Sequence, residues 1–218
     1  MREEAGVVFS VAGGNRPVPG CTVSKALYQG SGNEVLCFSL AEGTDISAEL
    51  YPNHKLIIMT KGEMNVFTGN KRSWALTEND CLITPVNVPL GVRAGSEAIY
   101  VEINLRRDCV LNTAIKEGEV FKLAELVPYQ DGRIVNMDIL SNKALKFVVM
   151  SFDAGTGLSE HAAPGEALIF ALDGQGVVGY EGKEHTLKAG ENFKFAKGGV
   201  HYVKAAERFK MALLLTLE

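Results

Sequence analysis

Few residues of this 218-residue chain can do proton or ligand chemistry near neutral pH. They are four histidines (His54, His161, His185 and His201) and four cysteines (Cys21, Cys37, Cys81 and Cys109). The cysteines form no CxxC and no zinc-like pairing, and Cys37 and Cys81 sit inside apolar runs, so the set reads as reduced and structural. His54, beside Asn53, and His185, in the turn KEHTL, read as surface residues. His161 and His201 are different, because each stands in a glycine-framed stretch. These are GTGLSEHAAPGEALIFALDG, residues 155–174, and GENFKFAKGGVH, residues 190–201. A neutral imidazole both donates and accepts a hydrogen bond, an imidazolium binds a carboxylate, and the choice falls near neutral pH. No nucleophile–base pair, phosphate-cradling glycine loop or nucleotide fingerprint accompanies them. GTG and GQG read as β turns, where glycine supplies a positive φ.

Composition narrows the partners. The net charge is −4 with no basic block, which gives nucleic acid no electrostatic footprint and an anionic membrane no anchor. No apolar run approaches the roughly 18 residues of a spanning helix. The opening MREEAGVVFS places acids where a signal peptide wants positive charge. The expectation is a cytoplasmic protein whose partner is a small molecule. Apolar residues at 46% and charged residues at 22% suit a globular chain that buries a core, as one large domain or two smaller ones.

The elements that must position the histidines are short strands. Residues 1–20, rich in Gly and Pro, read as a loose arm. From Val23 onward, apolar runs of strand length (EVLCFSL, HKLIIMTKG, DCLITP, EAIYVEINL) alternate with turn clusters, the pattern of an all-β barrel or sandwich. The pattern lapses over 106–118, EVFKLAELV spaces its apolar residues like one or two helical turns, and strands then resume. The chain also repeats itself. Gly43 and Gly155, Gly62 and Gly174, Ser47 and Ser159, and Leu56 and Leu168 are each 112 apart; Leu76 and Leu187, and Val92 and Val203, are 111 apart. Two copies of one β unit follow, expected over 1–118 (with the arm) and 119–218.

The second copy resembles the cupin superfamily of double-stranded β-helix, or jelly-roll, barrels. The motifs G-x5-H-x-H-x3-4-E-x6-G and G-x5-P-x-G-x2-H are met by Gly155, His161, Gly174, Gly190, Gly198 and His201, with Ala196 at the proline position. GLSEHAAP is similar to a group of small bacterial cupins of mostly unassigned role. The resemblance implies an all-β chain of two tandem cupin barrels. In metal-binding members three His and one Glu converge inside the barrel, a set suited to Fe, Mn, Zn or Ni. Here His161 and His201 hold the first and last positions, and Ala163 and Ala167 replace the second His and the Glu. Glu166 is a candidate third ligand, but alternation along a strand puts it one residue out of phase.

Ala163, Ala167 and Ile169 share the inward parity, so a wide apolar concavity around the two imidazoles is expected, a small-molecule site. Lys194, Lys197 and Tyr202 flank His201 in sequence as candidates for further polar contact, against the expectation of solvated lysines on a barrel rim. In the first copy the corresponding positions are Glu49, Tyr51, Lys55 and Leu90, a degenerate site in which Glu49 and Lys55 either form an internal ion pair or both reach solvent at the barrel mouth. Leu56, Ile58, Leu168 and Phe170, on the opposite parity, are candidates for pairing the barrels within the chain, and a homodimer is the alternative. The functional expectation is a small-molecule-binding or sensing protein with its pocket in the C-terminal barrel. The alternative is a metal-dependent enzyme of dioxygenase or isomerase type using His161 and His201.

Overall fold

The structure, a computed structural model, describes residues 3–30, 33–69 and 72–217. Its regular secondary structure is nearly all strand, and no helix among the described residues is long and apolar enough to cross a membrane. In chain order the strands begin with β1 (Val8–Phe9), β2 (Thr22–Gly30), β3 (Asn33–Leu40), β4 (Asp45–Leu50), β5 (Lys55–Lys61) and β6 (Met64–Thr68). They continue with β7 (Ser73–Leu76), β8 (Asp80–Ile83), β9 (Pro89–Ala94), β10 (Ala98–Asn104), β11 (Val110–Leu111) and β12 (Val120–Lys122). The rest are β13 (Ile134–Ser141), β14 (Leu145–Phe152), β15 (Gly157–Ala162) and β16 (Ala167–Tyr180), followed by β17 (Lys183–Lys188), β18 (Asn192–Phe195), β19 (Val200–Lys204) and β20 (Phe209–Thr216).

Two compact units result. The first comprises residues 11–109 and 113–122; the second comprises 3–10, 110–112 and 123–217. In the first, the order β12-β8-β5-β10-β3-β2 forms one sheet and β4-β9-β6-β7 the other. In the second, β1-β18-β16-β20-β14-β13-β11 forms one sheet, and β15, β19 and β17 join through β16. The first unit's pairings recur in the second, β4 with β9 as β15 with β19, β5 with β8 as β16 with β18, and β3 with β10 as β14 with β20, while β11 beside β13 has no counterpart among the described residues. Where the first unit breaks β5 from β6 at Gly62, the second runs one long strand, β16, through Gly174.

Physical reasons for the register lie in the repeated glycines. Gly62 and Gly174 both have positive φ, +78° and +68°, and in both a Cβ would run into a backbone carbonyl, that of Glu97 or of Arg208. A side chain cannot be accommodated at this crossing point, which fixes one end of the repeat. Between such corners the apolar runs are buried on both faces: Lys55 to Met59 and Ala167 to Phe170 are buried at every position. Inward-facing Ile57, Met59, Leu90, Val92 and Tyr100 form the first core, and Ala163, Ala167, Ile169, Phe193, Phe195 and Val203 belong to the second.

Two boundaries differ from the expected 1–118 and 119–218. Val120–Lys122 pairs with β8 and so belongs to the first unit. The N-terminal segment is no loose arm of the first unit: Val8 and Phe9 pair with Phe193 and Asn192 of β18 in the second, and Gly6 donates to the Lys194 carbonyl. Its GG and PG clusters gave no hint that VVF would supply an edge strand. The expected helical turns near 119–127 reduce to one 3-10 turn, Leu123–Glu125.

Candidate functional site

The second unit brings the two histidines together. His161 on β15 and His201 on β19 are direct cross-strand partners, with a register irregularity between Leu158 and His161. Opposed side chains of an antiparallel pair stand on the same face within contact distance, and the ring centroids are 4.2 Å apart. Their surroundings differ. His161 is exposed, whereas His201 is buried and stacks on Phe195, centroid to centroid 4.0 Å at 27°.

Each ring is tied to the backbone two residues before it. His161 Nδ1 lies 2.8 Å from the Ser159 carbonyl and His201 Nδ1 lies 3.1 Å from that of Gly199. A carbonyl oxygen only accepts, so Nδ1 carries the hydrogen in both rings. Each Nε2 of the neutral pair is therefore left with its lone pair. Burial lowers the His201 pKa below the ordinary imidazole value; the Gly199 hydrogen bond opposes this and the neighbouring His161 reinforces it. At neutral pH His201 is an acceptor through Nε2.

Ala163, Ala167 and Ile169 face the same interior and are all buried. Phe195, the Cα partner of Ala167, lies face-on to His201, and Phe193 packs beside it, so aromatic rings share the core that the two alanines belong to. An open groove of about 550 Å³ instead runs along the same β15–β19 ladder, lined by Leu158, Ser159, Val177, Glu184 and Lys204 among others. Ser159 connects the two, since its carbonyl holds His161. At the groove the Tyr202 hydroxyl donates to Glu184, and the Lys204 ammonium sits over the Tyr202 ring at 4.3 Å.

Glu166 goes elsewhere. Its carboxylate lies 2.7 Å from Lys194 Nζ, and Lys194 is the Cα partner of Leu168, on the parity opposite Ala167 and Ile169. Lys194 is correspondingly buried rather than a solvated rim lysine. Burial raises the Glu166 carboxyl, but hydrogen bonding to Lys194 contributes to holding it below its ordinary value. Among the described residues no three His, Cys, Asp or Glu side chains are grouped to hold a metal ion. His161 and His201 thus supply two donors, short of the three protein ligands of a catalytic zinc-type site, and the residues present do not fit a resident metal held by the protein alone.

In the first unit Glu49 and Leu90 are Cα partners, the same relation as His161 and His201. The Glu49–Lys55 ion pair does not form. Lys55 Nζ pairs with Glu102 on β10 at 2.9 Å, both side chains nearly buried, and lies 3.5 Å above the Tyr51 ring. Glu49 instead accepts from the Tyr51 hydroxyl, 3.1 Å away. The reason is parity: Lys55 precedes inward-facing Ile57, and Glu102 follows inward-facing Tyr100, so both point into the barrel, whereas Glu49 is exposed. Burial raises the Glu102 carboxyl, and Lys55 pulls it back only in part. Burial and the Glu49 bond push the Tyr51 hydroxyl up to about 12, so it is a donor at all ordinary pH.

Sequence reasoning missed Glu102 and Phe195. The alternation Ala98, Tyr100, Glu102 in EAIYVEINL, and Phe193, Phe195 in ENFKFA, carried both signals. The other two histidines are half-buried: His54 Nδ1 bonds the Thr84 carbonyl and His185 packs on Phe193.

Comparison with known proteins bears on the fold. Residues 148–217 match the family model described as a cupin domain. A cupin 2 conserved barrel domain protein from Leptotrichia buccalis is 26% identical, with a TM-score of 0.87 over 99% of each chain. AerE from Microcystis aeruginosa is 16% identical (TM-score 0.57, 93% of this chain and 99% of that one). Salicylate 1,2-dioxygenase from Pseudoaminobacter salicylatoxidans, in adducts with gentisate, is 12% identical (TM-score 0.61, 88% and 72%). The last two show likeness of fold alone. No curated protein matches the chain. The fold is that of the all-β cupin barrels, and residues 148–217 carry a cupin domain.

Proposed function

We propose that this is a two-barrel cupin protein that binds a small organic acid through the His161–His201 pair of its C-terminal barrel. The observation that carries the reading is the opposed pair of imidazoles, each tied through Nδ1 to a backbone carbonyl. Two neighbouring Nε2 lone pairs are a poor arrangement on their own, because both accept and neither donates. A carboxylate resolves this: as it binds, one ring takes up a proton from solvent, becomes imidazolium and holds the carboxylate. The groove beside Ser159, at about 550 Å³, is of a size that takes such a ligand's remaining atoms. This reading makes the protein a binding or sensing module.

Native mass spectrometry of the full chain, purified without chelator and paired with elemental analysis, tests it. A small-molecule adduct at one per chain is expected in the wild type and absent from His161→Gln, with no stoichiometric metal. Stoichiometric Fe, Mn, Zn or Ni that is lost in both His161→Gln and His201→Gln would overturn it. The enzyme reading would then stand, with ligands beyond the two imidazoles. The salicylate dioxygenase likeness supports the fold on which such an enzyme is built.

A further inference from the structure

The first unit keeps the cross-strand relation of the histidine pair without its histidines, in Glu49 and Leu90, and beside its apolar core lie the buried polar groups Lys55 and Glu102. A small inner space of about 70 Å³ has Tyr51, Lys55 and Glu102 in an otherwise mostly apolar wall that includes Ile57 and Leu90. It shares Tyr51 and Lys55 with an outer, open cavity of about 420 Å³ whose wall includes Gln29, Glu34, Asn53 and Asn104. That volume lies within the range of small-molecule sites, about 300–1,000 Å³.

The polar groups around it are organised. Glu34 is held between two carboxamides: Gln29 Nε2 donates to its Oε1 and Asn104 Nδ2 to its Oε2, both at 2.9 Å. A carboxylate offers about four acceptor sites, of which these take two, and each amide keeps a second N–H and a carbonyl. At the floor the Lys55 ammonium, with three donors, directs one to Glu102. The one buried side-chain polar atom without a partner among the described residues is Asn53 Oδ1, in this same wall. Such an atom in a native fold marks unmet hydrogen bonding.

Charge selects the ligand class. The outer cavity's charged lining is one of each sign, Glu34 and Lys55, with Lys55 already paired to Glu102, so neither an anion nor a cation is favoured. A ligand whose groups each donate to a carboxylate or amide oxygen and accept from an ammonium or amide N–H satisfies every group at once. Hydroxyls do this without net charge. We infer that the first unit carries a second binding site, for a neutral polyhydroxylated small molecule of monosaccharide or cyclitol size. It is independent of the histidine pair.

The test is a titration of the uniformly 15N-labelled full chain with D-glucose, D-galactose and myo-inositol, read by amide shifts. Malate and putrescine serve as the anionic and cationic probes. At least one polyol should shift the amides around Glu34, Lys55 and Asn104 in a saturable way. Glu34→Ala and Asn104→Ala, each checked for an unchanged melting profile, should weaken that binding about tenfold, the worth of one charge-assisted hydrogen bond. The inference is overturned by polyols that leave these amides unmoved, by tighter binding of malate or putrescine at the same amides, or by folded variants that bind like the wild type.

Discussion

His161 and His201 face each other across the β15–β19 ladder with ring centroids 4.2 Å apart, one ring exposed and the other stacked on Phe195. The asymmetry matters because burial acts on His201 and depresses its pKa. An imidazole whose folded pKa lies below its unfolded value of 6.5 binds fewer protons folded than unfolded in the interval between them. Stability is therefore full above the unfolded value and declines as pH falls through it towards the folded value. Urea melts of the full chain from pH 7.5 down to 5 should show this decline, and His201→Gln should flatten that part of the profile.

The Lys55–Glu102 pair predicts a charge-specific loss. Lys55→Met leaves a buried carboxylate without its counter-ion, a change that costs about 3–5 kcal/mol. Adding Glu102→Leu should recover most of that loss, whereas adding Glu49→Ala should not. Glu102 has a folded pKa raised above 4.5, so the single variant's deficit is greatest at neutral pH and shrinks as acid protonates the carboxyl in both states. Denaturant midpoints across pH measure each of these.

Glu166 offers the opposite sign. Its folded pKa is lowered, so its contribution is present above the ordinary carboxyl value and lost as pH falls through the folded one. Because the carboxylate is part-exposed, Glu166→Gln should cost only about 1 kcal/mol. Ligand occupancy at the histidine pair should be unchanged in it, since Glu166 lies on the other side of the strand. Loss of occupancy in a fully folded Glu166→Gln would contradict that placement.

Backbone substitutions should separate the two repeated glycine pairs. Gly43 and Gly155 have positive φ but open space around a Cβ, so alanine there costs about 1–2 kcal/mol of left-handed strain. Gly62→Ala and Gly174→Ala carry the same strain and also drive a methyl group into the Glu97 or Arg208 carbonyl. Thermal melts should rank the second pair well below the first.

Much of this was legible in the sequence because strands alternate and glycine corners recur. The 112-residue offset matched Gly62 to Gly174 and Glu49 to His161, and the structure gives each pair equivalent backbone places. The all-β cupin fold followed from those matches and the motif residues. What stayed hidden depends on contacts between strands far apart in sequence. Lys55 had Glu49 nearby in the chain, yet its counter-ion comes from β10, 47 residues on. Ala163 and Ala167 implied space, but whether it remains open depends on Phe195 from β18. A short VVF segment carries no mark of the β18 edge it joins. Parity along one strand is local and readable; the partner that meets an inward side chain is set by topology.

The most direct test of the account is the protonation of the imidazole pair itself, read from long-range 1H–15N spectra of the full chain with 15N-labelled histidine. His161→Gln and His201→Gln supply the assignments. The account predicts Nδ1–H tautomers for both rings above pH 7, and Nε2 resonances of both rings that move together when malate is added. A Nε2–H tautomer on either ring, or an acid titration that leaves both Nε2 resonances in place, would contradict it.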